Sequence, residues 1–126
     1  MATELQKKWI SVLELLYQYD FHESLLFYQE DEIDQNAKLL FISIIESINQ
    51  IDSLIEKHLV NYTLDRLNKV DKAIIRLAVF ELMRKEIPAE VVINEAIELT
   101  KDYSDLDDEK QHKFTNRLLD NIYKGM

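Results

Sequence analysis

The sequence predicts an all-α fold, a compact helical bundle of five to seven helices forming a single domain over residues 1–126. Three observations predict it. Glycine and proline occur once each, and strand-and-turn folds need glycine wherever the chain takes positive φ. Apolar residues make up 47% of the chain, enough at this length to fill a core without disulfide or metal support. Those residues recur at three- and four-residue steps, the spacing of one helix face.

The first helix is expected from Thr3 to about Tyr19. Thr3 can cap its first turn, Glu4 suits the positive end of the dipole, and Leu5, Trp9, Val12, Leu13, Leu16 and Tyr17 form its stripe. A softer segment, His22 to Gln29, precedes the acidic run Glu30-Asp31-Glu32, read as a solvated loop. The next stripe starts near Asp34 and passes through Leu40, Phe41, Ile44, Ile48, Ile51, Ile55 and Leu59. Its length predicts one long helix, kinked near Asn49. Asn61-Tyr62-Thr63 reads as a break and Leu64 to Leu67 as a short helical turn.

The stretch from Val70 to Lys85 is apolar nearly all round, the pattern of a helix packed on several sides. Pro88 then suits the first position of the following helix, where its missing N–H is harmless. That helix is expected to run to about Tyr103 and to bury Val92, Ile93, Ala96, Ile97 and Leu99. After an acidic loop, Ser104 to Glu109, the last helix presents Phe114, Leu118, Leu119 and Ile122.

Composition narrows the function. With no cysteine there is no disulfide, thiolate metal site or thiol nucleophile. A single glycine, at position 125, leaves no phosphate-cradling loop. The three histidines stand on different elements, and no nucleophile-elbow pattern is present. Glu109-x-x-His112 has the spacing of a di-iron ligand pair, but the second such pair that a bundle site needs is missing. A non-enzymatic protein without cofactor is expected. Lys7 and Lys8 precede no long apolar run, and no stretch approaches the ~20 residues of a membrane span, so a cytoplasmic location is expected.

The net charge of −9 argues against tight non-specific binding to nucleic acid. The charge is unevenly spread: residues 1–66 hold 12 acidic and 5 basic side chains, residues 67–126 hold 12 and 10. Any basic face belongs to the second half. Within the apolar helix, Glu81 must either lie on a strip that reaches solvent or meet a partner. Arg76 is expected to pair with a carboxylate of the following helix, Glu95 first.

Three motifs in order then carry a family resemblance: Val70-Asp71-Lys72-Ala73-Ile74-Ile75-Arg76, Ile87-Pro88 followed by Ile93-Asn94-Glu95-Ala96-Ile97-Glu98-Leu99, and Lys113-Phe114-Thr115-Asn116-Arg117-Leu118-Leu119-Asp120. In order and spacing the chain resembles the NusB family of bacterial transcription antitermination factors. The resemblance covers about 70 residues well and the first 50 weakly. It implies an all-α fold and a binding activity without cofactor. The implied partners are the NusE-type ribosomal small-subunit protein, a boxA-like single-stranded RNA and the RNA polymerase antitermination complex.

The resemblance also implies sites. Single-stranded RNA is held by cations on phosphates and by aromatic rings against bases. Lys113 and Phe114 match the family's K-F pair, although the Phe114 ring would serve equally as a core residue. Asn116 can read a base edge or cap a turn. Arg117 replaces a glycine common in the motif and adds a charge. Lys7 and Lys8 stand where the family has an arginine-rich N-terminus, and lysine lacks the planar fork of arginine. Asp71 and Glu81 are expected as exposed acids facing the basic ribosomal protein. The alternative is a module of the same fold that keeps the protein partner and has weak or lost RNA binding.

Overall fold

The computed structural model describes residues 3–22, 34–104 and 109–126. Among them six α-helices follow in order: α1 (Glu4–His22), α2 (Gln35–Glu46), α3 (Ile48–His58), α4 (Lys69–Arg84), α5 (Ala89–Tyr103) and α6 (Lys110–Lys124). A 3-10 turn, Leu64–Arg66, joins α3 to α4. The expected soft segment after His22, the acidic run and most of the acidic loop after Ser104 lie outside the described residues.

The helix starts follow local chemistry. Gln6 N–H donates to Thr3 Oγ1 at 3.1 Å, and Thr3 N–H donates to Gln6 Oε1 at 2.9 Å. This reciprocal cap satisfies two amides that flank the first turn. The Asp34 carboxylate accepts from Ala37 N–H at 3.1 Å and opens α2. Pro88 sits one step outside its expected place, as the extended cap of α5 with its carbonyl accepting from Val91 and Val92. A cap position needs no helical N–H either, so the same reasoning allows both places.

The long helix expected from Asp34 to Leu59 is two helices. Its ladder stops at Ser47 (φ −107°, ψ 13°), whose N–H turns back to the carbonyls of Ile44 and Ile45. Leu40, Phe41 and Ile44 before the break, and Ile51 and Ile55 after it, are all buried, and both helices pack on α4. The apolar period reports a shared neighbour and not an unbroken ladder.

α4 is the centre of the bundle, packed against α1, α2, α3, α5 and α6. Asp71 to Leu82 are buried without exception, so α4 buries its charges with its apolar side chains. Arg76 donates Nε and Nη2 to the two carboxylate oxygens of Asp52 on α3, both at 2.9 Å. Its Nη1 stands 3.4 Å from Asp20 Oδ1 on α1. Asp20 also receives the ammonium groups of Lys69 and, at 3.1 Å, Lys72. The partner expected for Arg76, Glu95 on α5, is therefore replaced by Asp52, because Arg76 leaves α4 on the side of α1 and α3. Burial alone would raise the Asp20 carboxyl. Hydrogen bonds and attraction from Lys69 and Lys72 outweigh it and hold the group below the ordinary value of 3.8.

The start of α4 is pinned to the end of α5. Asn68 Oδ1 accepts from Asp71 N–H, and Asn68 Nδ2 donates to Asp71 Oδ2, both at 2.8 Å. Ser104 Oγ donates to Asp71 Oδ1. Asn68→Ala removes a cap and leaves a buried carboxylate short of one donor. A loss of about 1–2 kcal/mol is expected from urea unfolding, and an unchanged midpoint would count against the cap.

Candidate functional site

α6 is amphipathic by sequence, and the structure buries one face and leaves the other to solvent. Thr115, Leu118, Leu119 and Ile122 are buried against α3, α4 and α5. Lys113, Asn116 and Arg117 point to solvent. The Lys113 side chain is 68% exposed and its nearest anion is Glu109 Oε2, 3.7 Å away on an equally open side chain. Such an exposed pair contributes little and exchanges readily for another anion.

Phe114 is half-buried and packs at the edge of the core. Its ring meets Tyr62, with centroids 6.2 Å apart and planes tilted by 59°. Tyr62 belongs to the segment between α3 and the 3-10 turn, next to Asn61 in left-handed backbone (φ 65°). That backbone, which asparagine tolerates well, turns the chain so that Tyr62 stands beside α6, 55% exposed. Reading the segment only as a break missed this residue. An aromatic in a polar break between helices was the available signal.

Lys7 and Lys8 lie in the first turns of α1. They line a cleft of about 350 Å³ with Glu4, Ser11, Asp34 and Asn36. Two acids therefore share that cleft with the two lysines, and Lys7 Nζ is 3.8 Å from Glu4. The cleft is formed with the start of α2, whereas Lys113 and Phe114 stand beside Tyr62. α1 packs on α2 and α4 and α6 on α3, α4 and α5, so the principal neighbour common to the two groups is α4.

Asp71 and Glu81 are not exposed acids. Asp71 is 2% exposed and occupied by Asn68 and Ser104. Glu81 is fully buried, with Arg84 Nη2 at 2.6 Å from Oε1. That expectation is corrected by α4 itself: a helix enclosed by five others has no solvent strip on which an acid can stand. Arg84 also lies over the Phe80 ring, 5.4 Å from its centroid. The surface offers an apolar groove of about 320 Å³ between α1 and α4, lined among others by Ile10, Leu13, Tyr17, Val70, Ala73 and Tyr103. Among the described residues no helix is long and apolar enough to cross a membrane, and no three His, Cys, Asp or Glu side chains converge as metal ligands.

The comparisons with known proteins agree with this architecture. The transcription antitermination protein NusB of Sulfurovum sp. is 37% identical over 134 aligned positions, covering 98% of this chain and 100% of the relative. Those of Clostridium botulinum and Treponema denticola are 48% and 45% identical over 69% and 68% of this chain. Those two matches span 64% and 61% of the relatives' own length. Among solved structures, NusB of T. maritima superimposes with a TM-score of 0.81 at 34% identity, covering 98% of this chain and 93% of that one. A chain from the crystal structure of antitermination factors NusB and NusE in complex with double-stranded RNA gives 0.77 at 29% identity, over 98% and 100%. The model of the NusB family matches residues 10–124, nearly everything from the middle of α1 to the end of α6, and the chain belongs to the NusB family.

Proposed function

We propose that this chain is a binding adaptor in transcription antitermination, without catalytic activity, acting in the cytoplasm where transcripts are made. It pairs with the NusE-type ribosomal small-subunit protein, and the pair holds boxA-like single-stranded RNA for the RNA polymerase complex. The observation that carries the RNA half is the start of α6, where exposed Lys113 and Arg117 flank a Phe114 ring in contact with Tyr62. Cations meet phosphates and rings meet bases, which is the chemistry single strands require. Asn116 is exposed beside them and free of the capping role, since α6 starts at Lys110. Lys7 and Lys8 add a second, weaker cationic point at the other end of the molecule's helix order, tempered by Glu4 and Asp34.

For the protein partner the α1–α4 groove is the better surface than α4's acids. Tyr17 and Tyr103 on its walls are 40% and 53% exposed, and tyrosine is among the residues that anchor interfaces.

Lys113→Ser combined with Phe114→Ala is expected to weaken boxA RNA binding by the chain and its NusE-type partner by about tenfold or more. Gel shifts against a scrambled oligomer measure it. If the wild-type pair forms yet prefers neither oligomer, the RNA half fails and a protein–protein module is left.

A further inference from the structure

We infer that the outward face of α6 is a track for the RNA backbone along the helix's whole length, with Tyr62 as a second stacking platform beside Phe114. This deepens the RNA-binding reading above and rests on it.

At 100° per residue, Lys110, Lys113, Arg117 and Lys124 fall within about 60° of one another. They lie opposite the buried row of Thr115, Leu118, Leu119 and Ile122. All four cations are exposed. The row is about 21 Å long at 1.5 Å per residue. α6 carries those four cations against a single acid, Asp120. α4 also carries four cations, but it holds two acids as well, and its Lys69, Lys72 and Arg76 are turned onto Asp20 and Asp52. In a chain of net charge −9, the α6 row is a local reversal of sign facing solvent. Core packing does not require it, since any polar residue suits an outward face.

The acidic neighbours of Lys113 and Lys124 are displaceable. Lys124 Nζ lies 2.8 Å from Asp120, and Lys113 3.7 Å from Glu109, with all four side chains at least 45% exposed. Exposed pairs one turn apart are weak, so a phosphate can replace the acid. The Tyr62–Phe114 contact stands at the Lys113 end of the row. Tyr62 is the more exposed partner, which makes it the ring more open to a base.

The test uses the full chain with its NusE-type partner and a labelled boxA-type single-stranded RNA, titrated across a salt series. Lys110→Ser with Lys124→Ser should make the log–log salt slope shallower by about 1.4, the value for two lost phosphate contacts on a single strand. The affinity should fall equally for boxA and scrambled RNA, because phosphates carry no sequence. Tyr62→Ala should weaken binding about tenfold, and Tyr62→Phe should restore it. An unchanged slope in the double variant, or an unaffected Tyr62→Ala, overturns the track while wild-type binding still upholds the broader reading. Absence of salt-dependent RNA binding by the wild-type pair overturns both. These side chains are exposed, so unchanged melting curves should accompany every variant.

Discussion

Arg76→Ala is expected to destabilise the protein by about 3 kcal/mol, the low end for breaking a buried ion pair. Arg76 is 8% exposed at its side chain and joins Asp52 on α3 to Asp20 on α1. Removing it leaves two carboxylates short of a partner. Asp20 keeps Lys69 and Lys72, and the Asp52 side chain, 25% exposed, can recover some hydration. Those two facts place the loss near 3 and not 5 kcal/mol. The melting temperature should fall by roughly 10 °C in a chain of this size. Arg76→Lys keeps the charge but cannot span both Asp52 oxygens, so its loss should fall between wild type and alanine. If alanine shifts the urea midpoint by less than the Asn68 cap variant does, the ion pair is not what ties these helices together.

Asp20→Asn should act through the same cluster with a different pH signature. At neutral pH it leaves Lys69, Lys72 and Arg76 without their shared carboxylate, and a loss of about 3 kcal/mol is expected for so buried a site. Folding lowers the Asp20 pKa, so the unfolded chain holds that proton more tightly than the folded one. The stabilisation is therefore complete above the unfolded value of about 4 and is lost as pH falls through the lower folded value. Wild type should lose stability across that acid window. Asp20→Asn should show a shallower fall there and the same dependence as wild type from pH 5 to 7. Parallel curves below pH 4 would show that Asp20 contributes no charge-dependent stability.

Much of the fold was legible because helices announce themselves locally. Thr3, Asp34 and Pro88 mark starts, and the stripe of Leu118, Leu119 and Ile122 marks the face that α6 buries. The all-round apolar pattern of α4 placed it at the centre, and five neighbours surround it. The same pattern left Asp71 and Glu81 open: both were expected to be exposed, and the five helices around α4 bury them. The break at Ser47 was not legible as a full stop: both flanking stripes face α4, so the period runs through it.

The sites divide in the same way. Lys113, Asn116 and Arg117 could be placed on the outer face from helical spacing alone, as could the longer row to Lys124. Tyr62 could not, because its position beside Phe114 depends on how the segment after α3 turns at Asn61.

By itself, the sequence determined most of the helices and buried faces, the central place of α4 and the family motifs. All of these follow from hydrogen bonding and side-chain periodicity within a few residues. Tertiary structure decided which charges meet. Arg76 lies 24 residues from Asp52 and 56 from Asp20, distances over which no local period operates. Its choice of Asp52 over Glu95 was made only when three helices came together and set a doubly accepting carboxylate against the guanidinium.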